Sequence, residues 1–298
     1  MKTAVVTGAT GGLGYATAVG LARTGARVVL AGRNPAKGQA ALVRLRREAP
    51  GADAEFELLD LASLASVTAF AERTLAAHPA LDILVNNAGV MAPPARQVTA
   101  DGFELQFGTN YLGHFALTAR LLPALLRAED GARAVQVSSL AHRGGVIAWG
   151  DLQGERRYNP WKSYGQSKLA MLMFALGLAR RAAAQGWPLV SVAAHPGWAV
   201  TDIITNGPGA GAPGLREHVM QAGFRLFGQS AADGARPIVF AATSPDAKAG
   251  GYYGPAGFGE IKGPTGPSRI MPQAQDAEAA KRLWTVSETL TGVAFPPG

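Results

Sequence analysis

Tyr164 and Lys168 stand four residues apart, so on a helix they share one face, a turn from each other. A free phenol titrates at about 10 and is a weak base near neutrality. A neighbouring ammonium favours the phenolate and is expected to move that value down. The phenol could then give a proton to a carbonyl oxygen or take one from an alcohol. Taken alone, the pair is also what a solvent-exposed helix face would show. Ser139 follows Ser138 at the end of an apolar run, where a hydroxyl could bond a substrate oxygen and steady a developing alkoxide. Asn110 is a polar residue inside the apolar stretch "FGTNYLGHFALTARLL", and its amide could equally satisfy local backbone.

A second kind of chemistry is suggested near the N-terminus by "TGATGGLG", Thr7 to Gly14. Glycines let backbone approach a phosphate closely, and the N-terminus of a following helix offers unpaired N–H groups and a positive dipole end. A plain tight turn has the same composition. The context decides: a β-branched run precedes the loop and a helical pattern follows it.

These residues need a scaffold, and the rest of the chain predicts one. Apolar runs at 2–7, 27–31, 55–59, 81–86, 133–138 and 189–194 read as strands. Helical patterns over 15–24, 34–49, 63–77, 101–128 and 164–185 lie between them. Such alternation argues for an α/β fold: a Rossmann-like, doubly wound parallel sheet in three α/β/α layers, formed as one domain over 1–298. "NGPGAGAPG", Asn206 to Gly214, is expected to be a hinge, and 215–227 a short apolar helix. We therefore expect 199–230 to form a substrate lid.

Composition narrows the classes. With 48% hydrophobic and 16% charged residues the chain is expected to be globular, and the absence of cysteine excludes disulfides, thiolate metal sites and a cysteine nucleophile. No metal-ligand spacing is present. The net charge of +7 is scattered, which argues against nucleic acid and for a basic solvated surface. No secretory signal is visible, and the longest near-apolar run, Leu169 to Ala179, falls short of the about 20 residues a membrane span needs. A cytoplasmic protein, monomeric or homo-oligomeric, acting on a small molecule is expected.

The glycine spacing, T-G-x-x-x-G-x-G, resembles that of the short-chain dehydrogenase/reductase family, and the resemblance continues in order along nearly the whole chain. It covers Asp60-Leu61, the "NNAG" of Asn86 to Gly89, Asn110, Ser139, Tyr164, Lys168, and the Pro196-Gly197 segment ending at Thr201. The resemblance implies a catalytic tetrad of Asn110, Ser139, Tyr164 and Lys168. Asn110 would order a water for proton relay, and Lys168 would also hold the nicotinamide ribose. It implies a dinucleotide held by Thr7, Gly8, Thr10, Gly11, Gly12, Leu13 and Gly14, by Asp60 and Leu61, by Asn87, Ala88 and Gly89, and by Pro196, Gly197 and Thr201. After the second strand an acid would bind the 2′-hydroxyl of NAD. Here Arg33, Asn34 and Lys37 occur instead, which favours the 2′-phosphate of NADP(H), with NAD(H) the alternative.

The stretch between Ser139 and Tyr164 is long, and with the ending "WTVSETLTGV" it resembles the retinol-dehydrogenase-like and WW-domain-oxidoreductase-like branch. That implies a ketoreductase or alcohol dehydrogenase acting on a bulky, lipophilic carbonyl or alcohol. Met91, Leu140, His142, Trp198, Ile203 and Phe224 are the expected substrate contacts. His195 reads as structural, and His114 shows no partner in the sequence. The alternative is a non-catalytic NADP(H)-binding sensor or scaffold on the same fold.

Overall fold

The computed structural model describes residues 1–199 and 228–296. The expected hinge and most of the expected lid, with Thr201, Ile203 and Phe224, lie outside the described residues.

Eight strands form one sheet in the order β3-β2-β1-β4-β5-β6-β7-β8. They are β1 Thr3–Thr7, β2 Arg27–Gly32, β3 Ala54–Leu58, β4 Ile83–Asn86, β5 Ala132–Val137, β6 Leu189–Ala194, β7 Tyr252–Pro255 and β8 Thr265–Pro267. The first seven are parallel to their neighbours and β8 is antiparallel to β7. Helices α1 Gly12–Ala22, α2 Pro35–Glu48, α3 Leu64–Ala77, α4 Leu105–Phe107, α5 Gly113–Leu125, α6 Pro160–Gln185, α7 Ala231–Thr243, α8 Pro272–Gln275 and α9 Ala277–Thr291 accompany it. The doubly wound parallel sheet is the Rossmann-like architecture.

The layers follow from the two-residue period of the strands. Val5, Val29 and Leu84 point to the side packed with Phe70, Phe115 and Phe174 of α3, α5 and α6. Ala4, Val6, Val28, Leu30, Ile83 and Val85 point to the opposite side, against α1, α2 and α7. Both faces are buried, so these strands are continuous apolar runs. The chain runs outward from β1 to β3 and then from β4 to β8, so the order reverses between β1 and β4. A crevice opens at such a switch point beyond the carboxyl ends of the strands.

Three segments differ from the sequence expectation. The first helix starts at Gly12, inside the glycine loop. The expected helix over 101–128 is interrupted, because Gly108–Leu112 forms a π-helical turn between α4 and α5. The helix bearing Tyr164 begins at Pro160, where Asn159 Oδ1 accepts from the N–H groups of Trp161 and Lys162. Strands β7 and β8, "YYGP" and "TGP", are short and each ends in Gly-Pro, which strands disfavour. They form because β6 offers β7 an open edge, with Ala193 paired to Tyr252 and Ala194 to Tyr253.

Candidate active site

Strand β1 ends by turning through Gly8, at φ 66, and Gly12, at φ 52, conformations that side-chain-bearing residues rarely adopt. A Cβ on Gly14 would meet the Gly8 carbonyl oxygen and the Asn87 side-chain amide. Gly14→Ala is therefore expected to lower stability by about 1–3 kcal/mol, read as a lower denaturant midpoint with unchanged slope. Helix α1 has Gly11 as its cap, with no side-chain cap and no acid in its first turn. Its leading N–H groups carry no side-chain acceptor, which leaves an anion cradle.

Thr7 corrects the expectation of a direct cofactor contact. It is fully buried, and its hydroxyl oxygen accepts from the N–H groups of Asn87 (2.9 Å) and Ala88 (3.0 Å). Asn87 returns a bond from its amide to the Thr7 carbonyl. The end of β1 is thus laced to the "NNAG" loop after β4. His114 completes this lacing, with Nε2 at 2.9 Å from the Thr7 hydroxyl and Nδ1 at 2.8 Å from the Asn110 carbonyl oxygen. The carbonyl can only accept, so Nδ1 carries the proton and Nε2 accepts from Thr7. Burial drives the His114 pKa down to about 3, and the ring stays neutral.

Asn110 is held by its own side-chain bonds. Its Oδ1 accepts from Val90 N–H at 2.7 Å, and its Nδ2 donates to the Val90 carbonyl and to Ser167 Oγ, both at 2.9 Å. The buried amide thus clamps the loop after β4. That loop continues to Ala92, which is held at φ 45 with its N–H on Gln106 Oε1.

Helix α6 and strand β5 bring the reactive groups together. Ser138 Oγ donates to the Lys168 carbonyl and so braces the helix. Ser139 lines the cavity together with Tyr164, and its hydroxyl oxygen accepts from the Ala141 N–H at 3.2 Å. The structure therefore separates the two serines. Lys168 Nζ donates to the Val137 carbonyl at 3.0 Å and lies 5.7 Å from the centroid of the Tyr164 ring. Burial lowers the Lys168 ammonium to about 8. Tyr164 moves opposite to expectation: burial raises its phenol to about 12, and the neighbouring Ser139 hydroxyl only partly offsets this. Desolvation of a buried phenolate outweighs an ammonium already committed to a carbonyl.

All these elements open onto one cavity of about 990 Å³. At one end are Gly8, Thr10, Gly11, Gly12, Leu13 and Gly14, with Arg33, Asn34 and Lys37 beside them. Asp60, Leu61, Asn87, Ala88 and Gly89 line its middle, and Ser139, Tyr164, Lys168, Pro196 and Gly197 its far end. Met91, Leu140 and Trp198 are also on its wall. His142 is not: it is fully buried, with its ring edge-on to Tyr252 at 5.2 Å. The volume and the anion cradle fit an extended dinucleotide. Among the described residues no cluster of His, Asp or Glu could hold a metal ion, and no helix is long and apolar enough to cross a membrane.

Sequence reasoning missed Trp161. It lines the cavity, is 45% exposed, and sits edge-on to Tyr164 with centroids 6.3 Å apart. Asn159-Pro160, a cap residue followed by a first-turn proline, was the available signal that the helix starts early enough to carry it.

A doubly wound sheet with a glycine cradle at one end of a switch-point cavity and a Ser–Tyr–Lys group at the other defines a class of enzyme. The short chain dehydrogenase family model matches residues 2–207, and the chain belongs to that family. Its curated relatives place it in the retinol-dehydrogenase-like branch. It is 41% identical to the polyprenol dehydrogenase of Mus musculus over 295 residues, covering 98% of this chain and 84% of that protein. It is 38% identical to retinol dehydrogenase 14 of Homo sapiens over 306 residues, covering 98% and 87%. Among solved structures, an uncharacterized protein from Mycobacterium paratuberculosis matches with TM-score 0.80 and 40% identity, covering 100% of this chain and 96% of that one. A metagenomic short-chain oxidoreductase in complex with NADP matches with TM-score 0.60 and 25% identity, covering 82% and 92%. The chain is an oxidoreductase acting on alcohol and carbonyl groups.

Proposed function

We propose that this oxidoreductase uses NADP(H) and interconverts a bulky lipophilic ketone or aldehyde with its alcohol, with Tyr164 as general acid and base. The observation that carries this reading is the buried Tyr164 phenol. It lines one cavity with Ser139 and Lys168, and the other end of that cavity presents Arg33 and Lys37. The cradle of α1 would hold the pyrophosphate, and Arg33 and Lys37 the 2′-phosphate through charge-assisted bonds. When bound, the dinucleotide supplies the hydride chemistry.

The chain's own residues handle the oxygen. With its pKa near 12, the phenol holds its proton at neutral pH and is ready to donate it to a carbonyl oxygen gaining negative charge. Ser139 would hold that same oxygen in place and stabilise the developing alkoxide. In the oxidative direction Tyr164 must first lose the proton, so oxidation is expected to speed up with rising pH while reduction does not. The wall near Tyr164 is Met91, Leu140, Ala141, Trp161, Trp198 and Ala199, mostly apolar surface suited to a lipophilic substrate. Relatives named for retinol and polyprenol support that class.

A panel of lipophilic ketones, aldehydes and quinones with NADPH and NADH tests the reading. Arg33→Asp is expected to lower kcat/KM for NADPH by about ten- to hundredfold, the worth of one or two charge-assisted bonds, and to leave NADH turnover unharmed. Turnover with NADH but not NADPH by the native protein would overturn the assignment of Arg33.

A further inference from the structure

The segment between β7 and β8 holds a group that the chemistry so far does not use. Glu260 lies in the short helical turn Phe258–Glu260, with φ 59 in the left-handed region. Such a conformation in a non-glycine residue persists only where its surroundings hold it. The surroundings here are specific. Glu260 Oε1 accepts from Arg143 at 2.9 Å and from the Arg269 N–H at 3.1 Å. Its Oε2 lies 3.0 Å from Nε2 of the fully buried His195. Arg143 also donates to the Gly259 carbonyl.

Each partner leads to the cavity. Arg143 belongs to the helical turn Leu140–Gly144 that Ser139 caps. His195 immediately precedes Pro196 and Gly197, and its Nδ1 accepts from the Gly197 N–H at 3.1 Å. A bare Nδ1 requires the proton on Nε2, which is thereby a donor toward Glu260 and Ser268 Oγ. The next residue, Ile261, accepts from the Trp198 N–H through its carbonyl. The carboxylate thus ties the wall carrying Ser139 to the wall formed by Gly197, two parts of the site that approach from different strands.

We infer that Glu260 is a positioning residue: by holding Arg143 and the His195 tautomer at once, it sets the spacing between the Ser139 turn and the Pro196-Gly197 turn at the Tyr164 end of the cavity. Burial pushes the carboxyl up, but the His195 bond, the Arg269 N–H and the charge of Arg143 overcome that and hold it at about 2, so it stays ionised. Glutamine cannot replace it. One amide end would face a donor, and turning His195 to the other tautomer would set an N–H against that of Gly197.

The inference rests on the dinucleotide reading above, and two ligands separate them. NADPH spans the cavity, whereas adenosine 2′,5′-bisphosphate probes only the end with Arg33 and Lys37. In fluorescence and calorimetric titrations Glu260→Gln is expected to weaken NADPH by about tenfold, roughly the worth of one hydrogen bond made from a displaced turn, and to leave adenosine 2′,5′-bisphosphate within about twofold. Arg143→Gln, at a partly exposed side chain, should shift NADPH in the same direction and serves if the Glu260 variant does not fold. Phe258→Ala, at a side chain 97% exposed in the same turn, should leave both affinities unchanged. Native-like NADPH affinity in a folded Glu260→Gln protein overturns the inference alone, as does equal weakening of both ligands. A native protein that binds neither NADPH nor NADH overturns the inference and the dinucleotide reading together.

Discussion

Tyr164→Phe is expected to lower kcat by about 10²- to 10⁴-fold, the range over which a positioned acid or base contributes, while the protein stays folded. The substitution removes one hydroxyl and keeps the ring. Its edge-on contact with Trp161 and its place on the cavity wall are therefore retained. The phenol's side-chain neighbour is the Ser139 hydroxyl, and losing that contact should change stability little. A buried phenol at about 12 is also costly to ionise, and removing it relieves nothing at neutral pH. The check is single-turnover reduction with NADPH, alongside a thermal melt and a cofactor titration. Native turnover by a folded Tyr164→Phe protein that still binds NADPH would sink the assignment of Tyr164 as general acid and base.

Lys168→Met should separate activity from stability. The ammonium is buried and titrates at about 8 instead of 10.5. Below about pH 8 the folded protein must keep a proton that burial disfavours, a penalty of about 3 kcal/mol. Between about 8 and 10.5 the unfolded chain binds more protons than the folded one, so native stability rises with pH through that window. Methionine carries no such penalty, but it leaves the Val137 carbonyl without its 3.0 Å partner, which returns about 1–3 kcal/mol. The variant is expected to be as stable as the native protein or slightly more so at pH 7. Its advantage should shrink as pH approaches 10.5. Turnover should fall by about a hundredfold or more, because a charge beside the phenol and a cavity-wall donor are lost together. Denaturant midpoints at both pH values test the first claim and initial rates the second. A variant markedly less stable at neutral pH would show that the ammonium is better solvated than its burial implies.

Much of this could be read along the chain because it depends on neighbours in sequence. Tyr164 and Lys168 share a helix face by spacing alone, and six apolar runs became strands β1 to β6. The glycines at 8 and 12 adopt the backbone that their composition suggested, and the missing acid after β2 left Arg33 on the cavity wall. Ser139 was distinguished from Ser138 only by resemblance; the structure supplies the reason, since Ser138 is bonded to the Lys168 carbonyl.

What spacing could not determine was how polar groups far apart in sequence pair with one another. Thr7 is the right residue type for contact with a ligand, yet the fold spends its hydroxyl on the loop after β4, which the Asn110 side chain also clamps. The Tyr164 phenol is raised and not lowered, because its solvation depends on everything packed around it. Strands β7 and β8 are short, each ends in Gly-Pro, and they are paired onto the β6 edge of the sheet. Glu260 meets Arg143, His195 and the Arg269 N–H across three elements, and no local pattern marks it. Residue types and their periods therefore determined the scaffold and the reactive set. Burial and long-range hydrogen bonding, properties of the assembled fold, decided which of those groups remain free to act.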